Sequence, residues 1–245
     1  MELIVFRFAE IRLTYHESTK VGLSICIFAA KKRHMNSDII NKLQWRYACK
    51  KFDPSKKLSE EKLNMLKEVF NLTATSYGLQ PLKMLVINNL DIQKQLVPIS
   101  MDQEQVRDAS HVLVLCREAG LTSEYIIEYF NRVEATRNTP RDILDPFQEF
   151  LLTSFAEKKP EDIKLWMEKQ AYLALGNLLT ACAIEEIDAC PMEGFEPEKY
   201  DELLQLEEKG LRSVLVLPVG YRAEDDFFSG LKKVRRGVNE VIIEI

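Results

Sequence analysis

Histidine, glycine-rich loops and long apolar runs are what this sequence lacks, and each absence removes support for a class of function. Three histidines occur, His16, His34 and His111, and neither they nor the cysteines sit at metal-ligand spacing, so no metal centre is expected. No G-x-G-x-x-G follows an apolar run and no P-loop is present, so the dinucleotide and nucleotide-triphosphate signatures are missing. No G-x-S-x-G elbow backs a serine nucleophile. The five cysteines (Cys26, Cys49, Cys116, Cys182 and Cys190) form no C-x-x-C pair, which fits reduced thiols in a cytoplasmic protein better than a disulfide framework. The Val21 to Ala30 run is too short to span a bilayer, and no membrane partner is expected.

What is present is an ordinary globular composition of 245 residues with formal net charge -5, long enough for one sizeable domain with a full core. The acidic balance argues against nucleic acid as the main partner, because the basic residues form local clusters and not a broad face. The first 34 residues stand apart. Their apolar run precedes the basic Lys31-Lys32-Arg33-His34, the reverse of signal-peptide order, so residues 1–34 read as an extension and Met35 as the natural start of a 35–245 domain.

Asn36-Ser37 caps an expected helix carrying Ile39, Ile40, Leu43 and Tyr47, broken by Asp53-Pro54. Ser59 caps a second helix with Glu60 and Glu61 in its first turn. Leu82 to Ile87, His111 to Cys116 and Ser213 to Val219 read as buried strands, with Asp188 to Cys190 a short one and Val238 to Ile245 an alternating final strand. Ser123 to Glu157 is helical with interruptions expected at Pro140 and Pro146, and Pro197 to Leu206 is helical. Pro160 opens a helix to about Glu186 whose Ala171 to Ile184 stretch carries no charge and is a candidate for a dimer interface. The elements mix without βαβ alternation, so the fold class is α+β, three-layered around a mostly antiparallel sheet.

Two basic clusters lie far apart, Arg46 with Lys50 and Lys51 near one end, and Lys232, Lys233, Arg235 and Arg236 near the other, preceded by Arg222. In an acidic chain that pattern is expected if the folded protein closes around a phosphate. A Pro191-Met192-Glu193-Gly194 turn falls between the clusters, after the long apolar helix. His111 opens an apolar strand and reads as structural.

The segments Arg46 to Asp53, Thr75 to Pro81, Asp108 to His111, Gln170 to Asn177, Pro191 to Phe195 and Lys233 to Arg236 follow the order and spacing of the FMN-dependent nitroreductase family, which the chain resembles from about Met35 to Ile245. The resemblance implies a three-layer α-β-α nitroreductase-like fold with a mostly antiparallel mixed sheet. It also implies a homodimer that takes hydride from NADH or NADPH through FMN, in a ping-pong cycle, to nitro compounds, quinones or related small-molecule electron acceptors. Arg46, Lys233 and Arg235, with the backbone around Tyr47 and Ala48, would hold the FMN phosphate, and Lys50 would face flavin N1 and O2, where charge appears on reduction. Pro191 would pack on the ring, and the Met192-Glu193-Gly194 turn would present backbone amides to N5 and O4. Thr75, Ser76 and Gly78 would reach the flavin of the other subunit, and Gln170 its ribityl or ring edge.

Departures from the family pattern are Ala48 for a phosphate-binding serine, Gly78 for an asparagine, Asp102 for a flavin-binding asparagine and Gln105 for a lysine near O2. They bear on flavin potential and acceptor choice. Two alternatives keep the cofactor but change the job: a reductase of a specific metabolite such as a pteridine or enone, and a flavin-binding sensor or store without turnover.

Overall fold

A computed structural model describes residues 38–245, and the extension with its Asn36-Ser37 cap lies outside them. The chain divides into two units, Met1–Lys42 and Leu43–Ile245. In the first, residues 38–42 are described and are helical; this helix, α1, runs over 38–45.

Apolar runs long enough to be buried on both faces build the centre of the second unit. β1 (Leu82–Ile87), β2 (His111–Glu118), β3 (Asp188–Ala189) and β4 (Leu211–Gly220) form a sheet of order β1-β2-β4-β3 with every neighbour antiparallel. A parallel bridge from Ala48 to Ala189 adds the mixed character at the β3 edge. Successive side chains of a strand point to opposite faces, so β2 serves two cores. Val112, Val114 and Cys116 pack on one side with Leu96, Val106, Tyr200 and Leu206; Leu113 and Leu115 pack on the other with Leu66, Ala171, Ala174 and Leu178. The helices α2 (Glu60–Asn71) and α7 (Pro160–Ile184) therefore cover one face, and α3 (Leu90–Leu96), α4 (Gln105–Asp108) and α8 (Pro197–Leu203) cover the other. This is the expected three-layer α+β arrangement. A separate apolar cluster joins Leu79 to the hairpin of α5 (Ser123–Arg137) and α6 (Arg141–Ala156).

Local signals explain the helix ends. The Ser59 side chain accepts from Lys62 N at 3.3 Å, and Glu60 and Glu61 occupy the positive first turn of α2. Pro160 stands at the start of α7, where its missing N–H costs nothing.

Three expectations need correction. Pro146 does not interrupt its helix: α6 continues through it from Pro140, losing one backbone bond while Leu144, Leu151 and Phe155 stay buried. The first helix stops at residue 45, well before Asp53-Pro54, because residues 46–52 instead run along the sheet edge, where Cys49 N donates to Ala189 O at 3.3 Å and Phe52 is buried against an antiparallel bridge to Arg222. Val238 to Ile245 forms no strand; Val238–Val241 makes one helical turn, α9, and Ile242, Ile243 and Ile245 stay exposed with no strand partner among the described residues. Alternation alone does not make a strand: the outer edge of β1 has no strand partner among the described residues, yet this segment does not pair there.

Candidate functional site

The stretch released from α1 meets the basic tail and makes a cleft of about 490 Å³, walled by Arg46, Lys50, Pro191, Lys233 and Arg235 among others. Lys233 Nζ donates to the Arg46 carbonyl, which brings the two cationic clusters together across 187 residues. Burial, and then the Arg235 guanidinium, push Arg46 below its ordinary pKa; burial and the charges of Arg46 and Arg235 lower that of Lys233. Among the described residues, none of Arg46, Lys233 and Arg235 has an acidic partner. Mutually repelling cations without a counter-charge form a site that an anion stabilises.

The acids nearby are already committed. Asp188 takes Arg222, accepting from its Nε and its backbone N, each at 2.8 Å, while the guanidinium lies over the rings of Trp45 and Tyr47 at 4.3 and 4.6 Å. Arg222 is thus a clamp behind the Trp45 and Tyr47 wall of the cleft and not a free phosphate ligand. Buried Asp226 accepts from Tyr47 Oη (2.8 Å), Lys50 N (3.0 Å), Lys51 N (3.1 Å) and Phe228 N (3.1 Å). Burial raises its pKa, but these hydrogen bonds outweigh burial and hold the carboxyl below its usual range. One carboxylate so fixes the segment that carries Arg46 and Lys50.

Lys50 Nζ lies 3.8 Å from Cys190 Sγ, beside the Pro191 turn. Burial pushes the Cys190 thiol up, with Lys50 opposing, so the sulfur is a packed neutral neighbour and not a nucleophile. In the turn, Met192 exchanges backbone hydrogen bonds with Val216 (2.8 and 3.1 Å) and buries its side chain in the core. The Glu193 carbonyl accepts from Phe195 N at 3.0 Å, and that of Gly194 from Gln103 Nε2, also at 3.0 Å. The N–H groups of Glu193 and Gly194 have no partner among the described residues. Acceptors tied down and donors left free suit the edge of a polar heterocycle. The Glu193 side chain turns to the exposed Tyr172 hydroxyl, 2.7 Å away.

Not every expected residue joins this place. Asp102 is exposed with φ 54°, and Gln105, though buried, donates to Gln103 Oε1 at 2.8 Å and faces Cys190 Sγ at 3.8 Å. Ala48 contributes through its backbone bridge. Thr75, Ser76, Gly78 and Gln170 assemble elsewhere: Ser76 N donates to buried Gln170 Oε1 at 2.8 Å, Thr75 Oγ1 accepts from Gln80 N at 3.0 Å, and Gly78 takes φ 74°. A Cβ on Gly78 would meet Tyr129 Oη at 2.6 Å, so any other residue there would displace the tyrosine tip as well as take up a left-handed φ. Thr75 borders a different cleft, with Tyr125 and Tyr129 of α5. His111 is structural, its Nδ1 2.9 Å from Ser110 Oγ and its pKa lowered by burial and then by Lys57. Sequence reading missed Asp226, Cys190 and Gln103, none of which carries a local signal that points to its partners.

Among the described residues no His, Cys, Asp and Glu group could hold a metal ion, and no helix is long and apolar enough to cross a membrane. The description "Nitroreductase family" belongs to the family model that matches residues 43–221. The major NAD(P)H-flavin oxidoreductase of Aliivibrio fischeri is 34% identical over 216 residues, covering 85% of this chain and 99% of that protein. The oxygen-insensitive NAD(P)H nitroreductase of Salmonella typhimurium is 30% identical over 217 residues, covering 85% and 100%. Among solved structures, a chain from Exiguobacterium sibiricum determined in complex with FMN aligns with a TM-score of 0.72 at 19% identity, covering 84% of this chain and 97% of its own.

Proposed function

From the premise that this chain belongs to the nitroreductase family, we propose that it is an FMN-dependent oxidoreductase passing hydride from NADH or NADPH to nitro compounds, quinones or related acceptors. The observation that carries the reading is the meeting of Arg46, Lys233 and Arg235, without a counter-charge, beside Lys50 and the free donors of the 193–194 turn. A phosphate at the cations and a flavin ring at the turn account for both features at once, so the residues present fit the group. FMN supplies the two-electron redox chemistry when bound.

The chain supplies position and electrostatics. Arg46, Lys233 and Arg235 would hold the phosphate, whose charge is the same in both redox states. Lys50 would lie where negative charge grows on reduction, and its cation would favour the reduced form. Donor and acceptor take turns at one place, in a ping-pong cycle that needs no second nicotinamide domain. Yellow protein bleached by NADPH, with rapid return of colour on adding a quinone, supports this; colour that persists under NADH and NADPH identifies a binder without turnover, and protein that takes up no FMN overturns the reading.

The same reading assigns a homodimer. In a single chain the charge-free part of α7 leaves Tyr172, Leu173 and Ile184 about half exposed, and the tail exposes Ile242, Ile243 and Ile245. The Thr75 to Gly78 loop borders a different cleft from the cations, as expected if it serves the site of a second copy. A stable flavin-loaded monomer by light scattering would contradict this. Cysteines free and buried at 49, 116, 182 and 190 suit the cytoplasm, where reduced nicotinamide is at hand.

A further inference from the structure

A pair of glutamines grips the Pro191 turn from the α4 side. Gln103 Nε2 donates to the carbonyls of Gly194 at 3.0 Å and Ser100 at 3.1 Å, and its Oε1 accepts from Gln105 Nε2 at 2.8 Å. Gln105 is buried and lies 3.8 Å from Cys190 Sγ, the sulfur that Lys50 Nζ faces at the same distance from its own side. One polar chain therefore runs Lys50, Cys190, Gln105, Gln103, Gly194. It depends on the backbone before it: Met101 and Asp102 both take φ 54°, in the left-handed region, and this double turn brings position 103 onto the loop. It depends on Gly194 as well, since a Cβ there would stand 3.2 Å from Gln103 Nε2 and from Met101 Sδ.

The consequence lies in the turn's donors. Rotation of the Gly194–Phe195 peptide would carry the neighbouring amides with it; the Gln103 hydrogen bond opposes this at the peptide's carbonyl, as the Phe195 N to Glu193 O bond does at its N–H. Donors aimed in advance stabilise developing charge without reorganising, whereas donors free to swing do not. We propose that Gln103 is a positioning residue for the redox site: by pinning the Gly194 carbonyl it aims the Glu193 and Gly194 N–H pair, and through Gln105 and Cys190 it ties that aim to the seat of Lys50. This rests on the FMN reading above. It also gives Gln105 a role other than direct contact with the cofactor, since its amide is already spent on Gln103 and Cys190.

Full-length protein stripped of FMN and titrated back tests this through flavin fluorescence, midpoint potential and the melting temperature of the flavin-free form. Gln103→Met keeps the length and packing of the side chain but neither donates nor accepts. The expected result is an FMN dissociation constant raised about tenfold and a more negative midpoint potential, with the flavin-free melting temperature close to that of the parent. Gln103→Glu keeps an acceptor for Gln105 but cannot donate to Gly194 when ionised, and the same two shifts are expected; it stands in if the methionine variant fails to fold. An FMN affinity and potential equal to the parent's in either folded variant overturn the proposal, as does a lowered melting temperature with an unchanged potential, which marks a structural strut. Failure of the parent itself to bind FMN would instead sink the functional reading.

Discussion

The cationic cleft and the Thr75 to Gln80 loop both carry residues that the family resemblance assigns to the flavin, yet their physical states are opposite. At the cleft the acids are spent on other partners (Asp188 on Arg222, Asp225 on Lys51, Asp226 on Tyr47 and backbone amides), leaving Arg46, Lys233 and Arg235 uncompensated. At the loop the polar groups find partners within the chain: Ser76 N on Gln170, Gln80 N on Thr75, Gln80 Nε2 on Asn71 O, and Tyr125 Oη on the carbonyls of Leu79 and Gln80. Tyr77 adds ring contacts to Phe147, Phe155 and Trp166. An unbalanced region needs a ligand to complete it, and a balanced one is a preformed surface that can be presented to something else. Motif matching alone does not separate these two conditions; charge and hydrogen-bond accounting does.

The largest effect is expected from breaking the cleft at the point where charge changes during turnover. Lys50→Met should lower turnover at saturating FMN on the order of a hundredfold, while FMN content stays near the parental level, because the cation is needed most in the reduced state. Stopped-flow reduction by NADPH together with the midpoint potential measures it, and an unchanged potential would show that Lys50 does not face the redox centre. Arg235→Ala should do the reverse. Loss of one charge-assisted contact to phosphate should weaken FMN binding roughly ten- to a hundredfold, with turnover recovered when FMN is in excess. A variant that excess FMN cannot rescue would remove Arg235 from the phosphate site.

A smaller effect is expected from the scaffold beneath the cleft. Asp226→Asn takes a carboxylate away from a hydroxyl and three backbone N–H groups and turns an amide NH₂ toward some of them, so a loss of about 1–3 kcal/mol is expected by urea denaturation. The pH dependence carries a definite sign. The folded pKa of Asp226 lies below its ordinary 3.8, so its contribution is complete above that value and is lost as pH falls through the lower folded one. Between neutral pH and that window the parent should hold its advantage over the asparagine variant; below it the two should converge. An advantage that grows on acidification would mean that Asp226 is not the ionised acceptor described.

Much of this was legible in the sequence, for reasons that differ by element. β2 and β4 were readable because a strand buried on both faces is a continuous apolar run, β1 because its run is apolar but for Lys83, and α7 because proline and two acids mark its start. The meeting of Arg46 with Lys233 was legible because like charges in an acidic chain need a shared reason. Asp226 was not, since its partners Tyr47, Lys50 and Lys51 lie 175 or more residues away and two of the contacts are to backbone. Gln103 was hidden for the same reason: its partner is a carbonyl, which every residue has. The short α1 escaped local reading because the 46–52 stretch is held by a sheet edge formed much later in the chain.

The smallest effect is expected outside both regions. We propose residues 35–245 as the working domain, so a protein lacking residues 1–34 should keep its FMN content and NADPH oxidation rate close to the full-length values and remain a dimer. Relatives such as the Aliivibrio fischeri oxidoreductase are matched over 99% of their length by 85% of this chain, so they do without a counterpart to the remainder. Among the described residues, the cleft, the clamp on Asp226 and the turn at Gly194 all draw their contacts from Gln44 onward. The deletion does remove Arg7, Arg12, Lys20, Lys31, Lys32 and Arg33, and a general electrostatic contribution to anion capture would fade with added salt. Measuring FMN affinity of both forms at low and at physiological ionic strength therefore separates the cases. Equal affinity at both strengths supports the 35–245 domain; a deficit confined to low salt assigns the extension a steering role; a deficit that persists in salt, or a fall in melting temperature, makes residues 1–34 part of the folded domain and overturns the boundary.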